Sequence, residues 1–352
     1  MNKLLPFNMP PVSKGGMMGM LSGAGGGGGN PPFWELLGRT KLASANSSIA
    51  VSGFSQRSNL MVLTHYTGTS NASTVAYSRY NSDTGSSYNV RTSVNNASDN
   101  TLASQTKLDQ MAIGTTSCFG VGYISNIEDQ EKLLMSNFVN QNGAGTASLP
   151  TLYENSGKWV NTSNQITTID QTSATAYTYD ADSEAVVLGF DSSSGGTSVW
   201  ELLTRKEATG ATVLFTTDTF TPKKYLYVKM FITGQTTDPL VRFGTGGSVD
   251  SGANYSQRYS YNNGTSNTWA NATAFVAGID GSASTTVEMF IVNTEDDAKL
   301  CFGQATTNAL STSTQFHNKW ISAGNQIDII NVFKGATSIA DAGSFIEVWG
   351  FD

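Results

Sequence analysis

Carboxylates gather twice in this chain behind an asparagine, at Asn126…Glu128-Asp129 and at Asn293…Glu295-Asp296-Asp297. A hard divalent cation takes six to eight oxygen ligands, and each cluster could supply three or four. Glu128, Asp129, Glu295 and Asp296 are therefore weak candidates for calcium. The competing expectation is a solvated loop whose acids cap a turn before a Lys-Leu strand start. Trp159 and Trp320 each follow a lysine in polar stretches read as loops. An indole exposed there would present a flat face to a sugar ring, and a place at the edge of the core is the plainer alternative. Asp83-x-Gly-x-x-Tyr88 and Asp250-x-Gly-x-x-Tyr255 read as a turn feeding a strand. In such a turn Asp accepts backbone N–H groups, Gly takes a positive φ and Tyr opens the strand. The same residue types also line sugar and calcium loops. Arg91 and Arg258 fall inside expected strands and should pair with repeated acids, Asp191 and Asp352 or Glu35 and Glu201.

Catalytic signatures are missing. There is no Gly-x-Ser-x-Gly, no His-Glu-x-x-His, no phosphate loop and no Cys-x-x-Cys. Neither an enzyme nor a cofactor is expected. A formal net charge of −7, with acids spread along the chain and no basic run, argues against nucleic-acid readout. Pro6 and Pro10 interrupt the apolar run at the N-terminus, so no secretory leader is expected, and no apolar stretch is long enough for a transmembrane helix.

The elements that must position these residues come in two copies. Asp83–Asn96 returns as Asp250–Asn263 with seven of fourteen positions identical. Around it, Trp34-Glu-Leu-Leu37 matches Trp200-Glu-Leu-Leu203, and Ile124-Ser-Asn126 matches Ile291-Val-Asn293. Lys158-Trp159…Asn164-Gln-Ile166 matches Lys319-Trp320…Asn325-Gln-Ile327, and Val187-Leu-Gly-Phe-Asp191 matches Val348-Trp-Gly-Phe-Asp352. A unit this long is a domain and not a solenoid repeat. The expected organisation is an arm over residues 1–32, a first domain over 33–191, a linker over 192–198 and a second domain over 199–352. The two cysteines, Cys118 and Cys301, and the two histidines, His65 and His317, occupy non-equivalent places. Buried free thiols are expected, with no disulfide framework and too little material for a zinc site or a His-based triad.

Runs rich in Val, Ile, Tyr, Phe and Thr, bounded by Gly, Asn, Asp and Ser, predict about eight strands per copy. In the first copy they fall near 49–54, 60–66, 75–80, 88–94, 119–124, 132–139, 165–170 and 185–190. In the second they fall near 212–220, 225–232, 240–243, 255–261, 286–292, 299–303, 326–333 and 345–351. No stretch shows a helical apolar period. The fold class is all-β: two homologous jelly-roll-type β-sandwich domains in tandem. The arm differs in character. It carries Leu4, Leu5, Phe7, Met17, Met18, Met20 and Leu21 on a tether with five consecutive glycines, Gly25–Gly29. Apolar side chains on a flexible leash call for a surface to bury them, here a neighbouring subunit or another component of an assembly.

The apolar arm, the opening Trp-Glu-Leu-Leu, the Asp-x-Gly-x-x-Tyr-x-x-Arg-x-Ser block, the Lys-Trp…Asn-Gln-Ile block and the closing Gly-Phe-Asp together resemble virion structural proteins of viruses of aquatic microbes. The resemblance covers residues 33–352 and the style of the arm. It implies a jelly-roll fold and a place in the virion, as a capsid or decoration protein, and no particular chemistry. The partners implied are other copies of the chain, as a trimer, and other virion proteins. Two further expectations remain open: a receptor- or glycan-binding virion appendage using loops such as 140–156 and 264–283, and a cellular tandem lectin or adhesin.

Overall fold

Period-two alternation of apolar residues needs a strand with a core on one side, and here many strands find a core on both. The computed structural model describes residues 34–352 apart from 71–73, 175–176, 192–196, 235–237, 263, 265, 279–283, 308–312, 323 and 335–337. The arm residues Leu4 to Leu21 and most of the linker lie outside the described residues. Those described form strands and connections without a helix, and all the strand pairs are antiparallel.

The first half builds a large sheet and a small one. In spatial order the large sheet runs β1 (Glu35–Lys41), β12 (Glu184–Phe190), β3 (Asn59–Tyr66), β8 (Cys118–Ser125), β9 (Lys132–Asn140), β10 (Thr151–Trp159), β5 (Tyr88–Val94) and β6 (Asn100–Gln105). The small sheet runs β2 (Ser48–Ser52), β11 (Thr168–Ser173), β4 (Thr74–Tyr80) and β7 (Leu108–Ile113). The second half repeats the large sheet strand for strand: β13 (Glu201–Glu207), β25 (Phe345–Phe351), β15 (Tyr225–Ile232), β21 (Thr285–Val292), β22 (Lys299–Thr307), β23 (Ser313–Trp320), β18 (Tyr255–Tyr261) and β19 (Asn267–Ala272). Its small sheet is β14 (Leu214–Thr216), β24 (Ile329–Phe333), β16 (Leu240–Thr245) and β17 (Ser248–Val249), with β20 (Phe275–Val276) also on β16.

Each half is a β-sandwich of jelly-roll type around its own core. Leu60, Val62, Ile124 and Val187 meet Ile49, Ile169 and Met111 in the first, and Leu226, Val228, Met289 and Val348 meet Phe243, Val241 and Ile330 in the second. The alternate residues of the same strands do not face water. Met61, Leu63, Phe119, Val121, Val186 and Leu188 pack against Tyr225, Tyr227, Phe290, Phe302, Trp349 and Phe351 in a third core. The two large sheets therefore meet outer face to outer face, and the order of layers is small, large, large, small. Burial on both faces explains near-continuous apolar runs such as Leu60–Leu63 and Leu226–Val228.

Among the described residues, twelve and thirteen strands replace the eight expected per copy. Those missed read as polar: β6 and β19 are exposed edges, while β10 and β23 are rich in polar side chains, of which Gln315 on β23 donates to Glu154 on β10. β1 and β13 were hidden by their mixed Glu-Leu-Leu-x-Arg/Lys character, and β7 and the two-residue β17 and β20 by their brevity or isolation. The strands expected to open at Gln165 and Gln326 begin only at Thr168 and Ile329, because the preceding residues are tied to asparagine side chains in the adjoining loops.

Candidate functional site

The repeated Asp-x-Gly-x-x-Tyr block is a clamp for tryptophan. In the first copy Asp83 Oδ1 accepts the Gly85 N–H at 2.7 Å, and Asp83 Oδ2 accepts the Trp159 indole N–H at 2.7 Å. In the second, Asp250 takes Gly252 N at 2.8 Å and Trp320 Nε1 at 2.7 Å. The Tyr88 and Tyr255 hydroxyls close the same turns against Tyr80 and Phe243 backbone groups. The indole bond holds the Asp83 carboxyl below its ordinary range. Burial works against Asp250, but bonds from Trp320, Asn254 and Gly252 hold it low as well. Gly85 and Gly252 do not adopt the positive φ expected of them. A Cβ would be crowded at both: at Gly85 it would lie 3.0 Å from Asp83 Oδ1, and at Gly252 it would lie 2.8 Å from Asn254 Nδ2 and 3.1 Å from Asp250 Oδ1.

This overturns the reading of Trp159 and Trp320 as loop-borne sugar platforms. Both end strands, β10 and β23, and each is 1% exposed, so no ring face is free to stack on a ligand. The tryptophan that is exposed lies elsewhere: Trp269, on the edge strand β19, is 37% exposed and meets Tyr259 edge-on at 5.8 Å.

The calcium candidates fare likewise. Glu128, Asp129, Glu295 and Asp296 point to solvent, and no group of three or more His, Cys, Asp or Glu is arranged for a metal among the described residues. The inward oxygens of both loops are taken by a cation built into the chain. Lys132 Nζ donates to Gln130 O at 2.5 Å and Asn161 O at 3.1 Å. Lys299 Nζ donates to the carbonyls of Glu295, Asp297 and Ser322 at 3.2, 2.9 and 2.6 Å. Both lysines are fully buried. Burial lowers the Lys132 ammonium and brings Lys299 down to about 8.

The asparagine that opens each loop is a staple. Asn126 Oδ1 accepts Ile166 N at 2.7 Å while its Nδ2 donates to Arg57 O and Ile166 O. Asn293 does the same with Ile327 N at 2.6 Å, Lys223 O and Ile327 O. Arg91 pairs with Asp99, at 2.6 Å from Nε, and Arg258 donates to Pro150 O at 3.0 Å, so neither meets the acids expected. Those acids serve a different repeated cation that the sequence reading missed. Arg57 lies 2.6 Å from Glu35 and 3.8 Å from Asp191, and Lys223, at the equivalent place, lies 2.9 Å from Glu201 and 3.3 Å from Asp352. The signal was present as a cation two residues before each of Asn59 and Tyr225, but it changes type between copies.

Residues that differ between the copies assemble in the seam between the large sheets. Glu184, fully buried, receives Arg39 at 2.6 Å, Lys224 at 2.5 Å and the Tyr225 hydroxyl at 3.2 Å. His65 is the cross-strand neighbour of Glu184 and of Phe119. His317 stacks on Phe302 at 5.9 Å and is the cross-strand neighbour of Arg258. Neither histidine nitrogen finds a hydrogen-bond partner at either site. Burial lowers both from 6.5 to about 3, helped by Lys224 at His65 and by Arg258 at His317. Burial raises Glu288, beside Tyr227 and Lys229, to about 7.

The segment between β9 and β10, expected to reach outward, instead grips the second half. Lys319 Nζ donates to Gln141 O at 3.2 Å and Gly143 O at 3.0 Å, Gln315 donates to Glu154 at 2.8 Å, and Ser256 and Asn271 bond Thr146. Ser266, in the other stretch expected to reach out, bonds Asn95 O at 2.9 Å.

The geometry therefore offers a seam, edges and outer faces, with the repeated polar motifs spent on architecture. No family model and no curated protein matches the chain. Among solved structures it is similar to domains LG4-5 of the mouse laminin alpha1 chain, at 10% identity over 92% of each chain with a TM-score of 0.16.

Proposed function

We propose that the chain is a structural building block of a virus particle, set in its shell or on its surface, with no catalytic role. Its main partners would be other copies of itself. The observation that carries this reading is the seam: an aromatic core joins two sandwiches of the same strand order into one four-layer block. A part with rigid sides, low charge and an apolar arm suits a symmetric assembly in which arms cross-link neighbours. Two equivalent sandwiches per chain make a trimer a pseudo-hexagonal tile. The resemblance of the repeated sequence blocks to virion proteins points the same way.

Mass photometry and negative-stain imaging of the full chain test this, beside a variant carrying Met17→Ser, Met18→Ser, Met20→Ser and Leu21→Ser. Trimers or larger lattices are expected for the native chain, weakened in the variant. Monodisperse monomers of both at high concentration would remove the shell reading. A second reading, a glycan- or receptor-binding appendage, has Trp269 in its favour. It requires saturable binding on a glycan array that Trp269→Ala abolishes.

A further inference from the structure

Histidine occurs twice in this chain, at His65 and His317. Both are buried in the seam between the large sheets, and no ring nitrogen of either finds a hydrogen-bond partner. The two places are not equivalent in the repeat: Phe231 stands where His65 would recur, and Ser156 where His317 would. What they share is the opposite half as cover. Cross-strand partners share a sheet face, and both partners of His65 touch the second half. Glu184 receives Lys224 and the Tyr225 hydroxyl, and the Phe119 ring lies 6.1 Å from Tyr225 and 5.6 Å from Phe302. His317 stands between Gln315 and Lys319 on one face of β23. These donate to Glu154 and to the Gln141 and Gly143 carbonyls of the first half. Its cross-strand partner Arg258 donates to Pro150 O.

A buried imidazole with both nitrogens unpartnered loses the hydrogen bonds that water would give it. Opening the seam would restore them without unfolding either sandwich, because each keeps its own core on the other face of its large sheet. The charges nearby oppose a proton while the seam is closed. His65 faces Lys224 and Lys41, with Asp182 on the other side of the balance and Glu184 already held by Arg39 and Lys224. His317 faces Arg258, with Lys319 beside it on β23 and the Glu154 carboxylate opposite taken by Gln315. Burial first, then these cations, bring both imidazoles from 6.5 to about 3. Glu288 on β21 works the other way. It faces Tyr227 and Lys229 on β15 and Tyr123 of the first half, and burial raises it to about 7.

We infer that the seam is an acid-sensitive latch: protonation of His65 and His317 parts the two large sheets while each sandwich stays folded. Histidine at an interface is suited to this because its ordinary titration lies just below neutral pH. A lowered pKa stabilises the closed form above pH 6.5, and that contribution is lost as pH falls below it. Between pH 7.5 and 5 each histidine therefore favours opening about thirtyfold, while Glu288 favours closure about sixtyfold. The net is an opening equilibrium about fifteenfold larger at pH 5. Glu288 is thus a brake that delays opening to lower pH. Parting the sheets would bare Phe119, Tyr225, Phe290 and Phe302 at once. The inference does not rest on the virion reading.

The test uses thiol labelling of the full-length chain. Val121 is fully buried in the seam, so Val121→Cys reports its opening. Cys118 and Cys301 are fully buried in the two sandwich cores and report the loss of either sandwich. Labelling with 4,4′-dithiodipyridine, which stays reactive in acid, is followed at each site by peptide mass and normalised to a free peptide thiol at the same pH. Protection of Val121→Cys should fall about fifteenfold from pH 7.5 to pH 5, with Cys118 and Cys301 still protected, as sub-global opening requires. Adding His65→Phe and His317→Phe should abolish the fall and let protection rise. Adding Glu288→Gln instead should enlarge the fall to about eight-hundredfold, a result that needs no substitution of either histidine. Constant protection of Val121→Cys would overturn the inference. Loss of protection at all three thiols together would overturn it too, because the histidines would then report only global stability. An acid response unchanged by Glu288→Gln would likewise remove the latch.

Discussion

Burial in the seam moves three ionisable side chains in opposite directions, and the signs decide how stability follows pH. Glu288 has its pKa raised from 4.5 to about 7, so the folded chain keeps a proton that the unfolded chain has lost. Its contribution is fully present below pH 4.5 and is lost as pH rises through 7. His65 and His317 are lowered from 6.5 to about 3, so the unfolded chain takes up two protons that the folded chain refuses. Their contribution is present above pH 6.5 and is lost as pH falls below it. The charges around His65 are Lys224, Lys41 and Asp182, with Glu184 already held by Arg39 and Lys224; Arg258 faces His317 and Lys229 faces Glu288. Between pH 4.5 and 6.5 the three groups together should cost about 1.4 kcal/mol of stability per unit of acidification, one net proton. Denaturant unfolding over that range should give this slope. Glu288→Gln should steepen it to about 2.7 kcal/mol per unit, and the double variant His65→Phe with His317→Phe should reverse its sign. Phe231 already occupies the place equivalent to His65, so the ring itself is compatible with the site.

At the scale of elements, the repeated motifs act as fasteners between strand ends. Trp159 joins the end of β10 to the turn before β5, and Trp320 joins β23 to the turn before β18. Trp159→Phe or Trp320→Phe keeps most of the packing and removes the indole donor, which should cost about 2 kcal/mol by denaturant titration. A loss under ~0.5 kcal/mol would mean that the aspartate is fully satisfied by water and backbone. Arg57 and Lys223 make the same pair of contacts with different chemistry. Arg57→Lys should therefore change stability by less than about 0.5 kcal/mol, while Arg57→Ala should cost about 1 kcal/mol or more. Motifs of this kind were legible as repeats because each needs its residue types in both copies. The turn was legible as well, but its hold on tryptophan was not, since the indole that reaches Asp83 lies 76 residues along the chain.

For the whole molecule, the seam makes the two sandwiches one thermodynamic unit. Interfaces between domains are commonly modest and polar. This one is aromatic, with Trp34, Trp200, Trp349, Phe290 and Phe302 buried in it. Scanning calorimetry should show a single transition with equal calorimetric and van't Hoff enthalpies. Two resolved transitions would mean that the seam contributes little. The hooks of Thr146, Gln141 and Gly143 onto the second half predict that Lys319→Ala frees the segment between β9 and β10 while the seam still holds the halves together. Protease sensitivity between residues 141 and 150 should then rise without loss of the global transition.

By itself the sequence determined what depends on local rules and on repetition: an all-β chain, two equivalent units, the turns at Asp83 and Asp250, and an arm of different character. Alternation and turn chemistry are encoded within a few residues, and duplication exposes them twice. Tertiary structure alone decided which way the second face of each strand points. A run such as Leu60-Met-Val-Leu63 states that both faces are buried, but not that the second is buried by another sandwich. The same holds for polar groups. His65, His317, Glu184 and Lys319 carry no local mark of burial, because the atoms that surround them come from elsewhere in the chain, such as Tyr225 beside Glu184 and Gln141 beside Lys319.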